Sequence, residues 1–94
     1  MADWRIICEV AARMGFGDAF AYQTPAEIFR EHAALSAFEN NGERLFDLGG
    51  LADLSDADYA AFAPRHWPAT GQNEQRTRLL ADSRCPTPDG RARF

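Results

Sequence analysis

Cys8, His32, His66 and Cys85 are the four thiol and imidazole side chains of this sequence, the groups a zinc site or a thiol nucleophile with its base would draw on. Zinc sites draw on cysteines or histidines paired at roughly two to five residues. No two of these four are near neighbours, so only tertiary convergence would gather them. A catalytic thiolate needs a base beside it, and neither cysteine has a histidine close in sequence. Cys8 sits near the apolar side of the opening stretch and reads as a small hydrophobe. Cys85 precedes a proline in a polar arm and is the more reactive thiol. Asp53, Asp56 and Asp58 crowd together, but they lack the spaced ligands and distal Glu of a calcium loop. Their acids suit a helix start, where the macrodipole favours negative charge. Gly15-Phe16-Gly17 is no phosphate loop, because the chain contains no lysine at all. The chain therefore offers no catalytic residues and no metal set; what remains is binding and support.

Helices must carry these residues. Trp4, Ile7, Val10, Ala11 and Met14 recur at three- and four-residue steps and share one face. Arg5, Glu9 and Arg13 alternate in sign on the other face. Asp3 is placed to cap this helix, and Gly15 or Gly17 to end it. Phe16, Phe20 and Tyr22 belong to a glycine-broken connector that should pack back onto it, with the polar tip of Tyr22 left for water or a partner. Thr24-Pro25-Ala26-Glu27 is a capping box with proline at the first helical position. It predicts a second helix from Pro25 to about Phe38. Its inward stripe is read as Ile28, His32, Leu35 and Phe38, with Phe29 beside it and His32 hydrogen-bonded in the core. Asn40-Asn41-Gly42 ends it.

Leu45, Phe46 and Leu48 are expected in a short extended piece turned by Gly49-Gly50. Ser55 caps a short third helix, Asp56 to about Ala63, that buries Tyr59 and Phe62 and stops at Pro64. Leu51 and Leu54 staple its entrance. Residues 69–77 read as a flexible polar loop. Residues 78–94 form a basic, hairpin-like arm around Pro88-Asp89-Gly90. The fold class is mainly α: one domain over 1–94, with a helical body over 1–66. Its two main helices cross through Trp4, Ile7, Met14, Ile28, Leu35 and Phe38, and a short helix and a β-like C-terminal arm complete it.

Apolar residues make up 46% of the 94, enough for one small core. All ten basic residues are arginine, and the net charge is −4. Residues 1–75 carry twelve acids against five arginines; residues 76–94 carry two against five. An acidic body argues against nucleic acid, and no basic helix face points to a membrane surface. No apolar run approaches the roughly 18 residues of a span, and acids interrupt any leader-like stretch. Two cysteines do not make a disulfide framework, so a reducing cytoplasm is the expected compartment. A start that drops straight into a helix is what a segment of a longer chain would show.

Several stretches, in order, resemble one family. Ala2-Asp3-Trp4-Arg5-Ile6-Ile7-Cys8-Glu9-Val10-Ala11 is similar to the segment that follows the molybdopterin-contacting part of bis-molybdopterin-guanine-dinucleotide oxidoreductases. Pro25-Ala26-Glu27-Ile28-Phe29-Arg30-Glu31-His32-Ala33-Ala34-Leu35 resembles the next helix of prokaryotic assimilatory nitrate reductases. Phe46-Asp47-Leu48, Leu54-Ser55-Asp56-Ala57 and Trp67-Pro68 fall in the expected order. Thr87-Pro88-Asp89-Gly90-Arg91-Ala92-Arg93-Phe94 looks like the strand entering that family's C-terminal pterin-binding domain. Formate-dehydrogenase-like enzymes are the runner-up.

The resemblance implies an internal scaffold piece of a nitrate-to-nitrite oxidoreductase. Its parent would hold molybdenum, two pterin guanine dinucleotides and an iron–sulfur cluster, and its partners would be the parent's other domains. In that pattern an acid like Asp3 touches the guanosine end of one cofactor. No cysteine set for the cluster and no molybdenum ligand lie in this chain, so the piece alone is expected to be inactive. The alternative from another class is a stand-alone acidic helical module that binds a partner protein. An excess of exposed apolar area would mark a piece of something larger.

Overall fold

The computed structural model describes residues 1–71 and 79–93. Helix α1 spans Asp3–Ala11 and runs into a π turn, Ala12–Phe16, and then a 3-10 turn, Asp18–Phe20. Asp3 is not its cap. Ala2 holds the capping position without a side-chain hydrogen bond, and Asp3 lies inside the first turn. The Ala2 carbonyl accepts from the Arg5 and Ile6 N–H groups at 3.0 and 3.3 Å. Gly15, at φ +94°, lets the chain double back. Phe16 and Phe20 therefore come to lie along α1, as the sequence predicts.

Helix α2, Pro25–Ala37, begins at the predicted box. The Thr24 hydroxyl accepts from Glu27 N–H at 3.3 Å. The Glu27 carboxylate accepts from Thr24 N–H at 3.2 Å and Gln23 N–H at 2.5 Å. Its inward face is not the predicted one. Ala26, Ala33 and Ser36 are buried, while Leu35 and Phe38 remain 61% and 64% exposed. Ile28 is half-buried, and His32 is exposed with its ring against Phe46 at 5.7 Å.

The reason is size. What α2 packs on is backbone, the 3-10 turn Gly49–Leu51. A Cβ on Gly49 would come within 2.7 Å of Ala37 Cβ, and one on Gly50 within 2.7 Å of the Ala69 carbonyl oxygen. Only small residues on both sides allow that approach. Two hydrogen bonds pin it: Gly50 N–H to Ala69 O at 2.8 Å and Ala69 N–H to Asp47 O at 2.7 Å. The predicted turn at Gly49-Gly50 is present, as the 3-10 turn Gly49–Leu51 pressed between α2 and Ala69, and the stretch carrying Leu45, Phe46 and Leu48 leads into it without forming a strand. The expected crossing of the first two helices also fails: α1 packs mainly on its own π turn, and α2 on Gly49–Leu51.

Helix α3, Asp56–Ala60, is shorter than predicted, but Ser55 does cap it, accepting from Asp58 N–H at 3.1 Å. Tyr59 and Phe62 stack on Phe29, with centroids 5.4 and 5.8 Å away. Arg30 ties α2 to the entrance of α3, reaching Leu54 O at 3.0 Å and Asp56 at 2.8 Å. Leu51 is buried, with Leu48 and Leu54 packed around it.

The β-like arm is not a strand pair. Among the described residues there is no strand, and 84–91 fold into a nested turn closed by Cys85 N–H to Gly90 O at 2.9 Å. A hairpin with nothing to pack on has too few contacts to persist. Most of the predicted 69–77 loop lies outside the described residues. Among the described residues no helix is long and apolar enough to cross a membrane.

Size measures show how little closes up. The Cα radius of gyration is 16.7 Å, against about 12.4 Å expected for a globule of this length. The surface is 7808 Å², where about 5,400 Å² is typical for this mass.

Candidate functional site

Two features of the N-terminal segment can bind something. The first is Asp3. Its carboxylate is exposed in the first turn of α1 and, among the described residues, accepts no hydrogen bond. The capping role that would have used its lone pairs is absent. It is a free acceptor beside the positive end of a helix.

The second is a wholly apolar groove of about 500 Å³. Ile6, Ile7, Val10 and Met14 form one wall, Phe16 and Phe20 the other, with buried Ala11 between them. Ile7 is 59% and Met14 68% exposed. Trp4, Ile7 and Met14 were expected to meet α2; no α2 residue lines the groove. The sequence reading named most of these residues but missed Ile6 and the direction of the face. The available signal was the mismatch in size between this wide stripe and the alanines of α2.

Cys8 and Cys85 are free and half-buried. Among the described residues no three His, Cys, Asp or Glu side chains form a metal-binding group. Asp56 is engaged by Arg30, and Asp58 accepts from the Ser55 hydroxyl at 2.6 Å. His66 and Trp67 are exposed, the latter edge-on to Phe46 at 5.5 Å. In the C-terminal turn, the Arg91 N–H and the Thr87 hydroxyl hold the Asp89 carboxyl below the usual carboxylate range. The N-terminal segment thus presents an exposed apolar face and, at the start of α1, the exposed Asp3 carboxylate.

Similarity to known proteins gives this face its context. The chain is 56% identical over 69 residues to a nitrate reductase of Klebsiella oxytoca, covering 73% of this chain. It is 41% identical over 97 residues to a nitrate reductase of Shewanella frigidimarina, covering 98% of this chain. The chain belongs to the nitrate reductase family. Within that family it is also 30% identical over 93 residues to the assimilatory nitrate reductase catalytic subunit of Bacillus subtilis, covering 96% of this chain. The chain is also similar to an F420-dependent formate dehydrogenase 1 subunit alpha of Methanococcus maripaludis, 32% identical over 90 residues and 96% of this chain. The chain spans only 8%, 10% and 12% of the three nitrate reductases' own lengths. No family model and no solved structure matches it.

Proposed function

We propose that this chain is an internal scaffold segment of a molybdenum-dependent oxidoreductase that reduces nitrate to nitrite, and that it is not catalytic by itself. The observation that carries the reading is the match of nearly the whole chain to about a tenth of nitrate reductases, joined to an uncovered apolar face. The compartment consistent with this reading is the cytoplasm.

The parent would hold molybdenum through two molybdopterin guanine dinucleotides and would carry an iron–sulfur cluster. When bound, the metal and pterins supply the electron transfer. The residues present here fit one small part of that group. The free Asp3 carboxylate can accept hydrogen bonds from the N–H edge of a guanine, and it is the residue that would hold the cofactor's guanosine end. No other residue of the chain is assigned to the cofactor. The rest of the segment orients Asp3 and fills space behind it, and the remaining domains of the parent subunit are its partners.

The test is a chimera. This chain replaces the aligned 97 residues of the Shewanella frigidimarina relative, and molybdenum content and dye-driven nitrite formation are measured. Retained metal and turnover are expected, with Asp3→Ala lowering cofactor retention and the isolated 94 residues forming no nitrite. A folded chimera that retains neither metal nor turnover defeats the proposal, as does turnover by the isolated chain.

A further inference from the structure

We propose that the groove between α1 and Phe16/Phe20 is the seat of an apolar-faced α-helix supplied by polypeptide of the same larger subunit outside these 94 residues. This rests on the function proposed above and goes further, because it names the kind of element that docks and where.

Three observations select a helix. The groove lining has no polar surface. A strand or loop laid into it would bury N–H and C=O groups with no partner, at about 1–3 kcal/mol for each orphaned group. A helix brings its backbone already satisfied. Next, Ile6, Ile7, Val10 and Met14 repeat at three and four residues along one ridge, the spacing that receives another helix's side chains. Finally, the second wall is Phe16 and Phe20, folded back at Gly15. A two-walled groove takes an inserted ridge. A small ligand is disfavoured, because ligand sites carry a few convergent polar groups to fix orientation.

The source follows from area and chemistry. The surface of 7808 Å² exceeds the monomer expectation by about 2,400 Å², within the range that obligate interfaces bury. The chain's own residues 72–78, Gln-Asn-Glu-Gln-Arg-Thr-Arg, contain no apolar side chain to offer. A second copy would set one concave groove against another and leave the space between them unfilled. The relatives are some ten times longer than the matched stretch, so ample chain exists to supply a helix.

The experiment compares Val10→Glu in two settings. Val10 is 51% exposed, and Glu has the higher helix propensity, so the isolated chain should keep its thermal midpoint and helicity. In the chimera with the Shewanella frigidimarina relative, Val10→Glu should speed amide exchange across α1 by roughly tenfold or more, while Arg13→Gln on the opposite face should leave exchange unchanged. Unaltered α1 exchange in the Val10→Glu chimera overturns the proposal, and so does equal destabilisation of the isolated chain. Dimerisation of the isolated chain that Val10→Glu abolishes, with the chimera indifferent, assigns the groove to a second copy instead. Molybdenum content and turnover of the unsubstituted chimera are read separately. Their loss with α1 still protected defeats the proposed function and leaves the groove assignment standing.

Discussion

The N-terminal segment and the body formed by α2, Gly49–Leu51 and α3 use opposite means. Around α1 the side chains are large and apolar, and they face outward. Around α2 the buried side chains are small, and polar groups fix them in place. Ser36 donates to Ala33 O at 2.7 Å and accepts from Leu48 N–H at 2.8 Å. Asn40 is 2% exposed. It accepts from Arg44 N–H at 2.7 Å and donates to Arg44 O at 3.1 Å and Asp47 at 3.0 Å. Arg44 in turn donates to Phe38 O at 2.6 Å, satisfying the end of α2. The body is held by close backbones and complete hydrogen bonding. The N-terminal segment leaves Ile7, Val10, Met14 and Phe16 more than half exposed. Greasiness in a sequence thus does not by itself say that a side chain is buried within the same chain.

The contrast is broken most sharply at Gly50. Gly50→Ala puts a methyl group against the backbone of Thr70 and Gly71, which has no flexible end to move aside. It should cost about 3 kcal/mol, the upper end for overpacking, measured by urea denaturation. If Gly50→Ala is neutral, the body is not held by backbone proximity. Next in size is Asn40→Ala, which orphans groups at Arg44 and Asp47. A loss of about 2 kcal/mol is expected, and amide exchange should rise first over 36–48. The smallest effect is local and lies in the C-terminal turn. The folded pKa of Asp89 is depressed, so its contribution is present above the ordinary carboxylate value and fades as pH falls through the lower, folded value. NMR titration should show the Arg91 amide and Thr87 shifting together below the ordinary aspartate value of 3.8, with α1 and α2 unmoved.

Local chemistry was legible in the sequence. Thr24, Pro25 and Glu27 announce the start of α2, and Ser55 that of α3, because a cap is decided within four residues. The face of α2 was not legible. Polarity ranks Leu35 and Phe38 above Ala33 and Ser36, but the element that packs there is a glycine backbone from twelve or more residues downstream, and it selects for smallness. The cofactor role proposed for Asp3 rests on family resemblance alone; the cap assigned to it by pattern is absent. The apolar groove was half legible: most of its residues were named, and Phe16 and Phe20 were placed against α1, but Ile6 was missed and the α1 stripe was expected to meet α2. The arm at 84–91 keeps its turn chemistry but lacks the neighbour that a strand pair needs.

Among the described residues, the buried hydrophobes are Ala11, Ala26, Ala33, Leu51 and Ala69. An alanine-lined interior hides little oil from water, so unfolding releases little of it. The heat-capacity increment of the isolated chain accordingly falls below the roughly 1.1–1.4 kcal/mol/K that its length would otherwise bring. Its stability then varies only gently with temperature, a calorimetric trace of alanines packed against glycine.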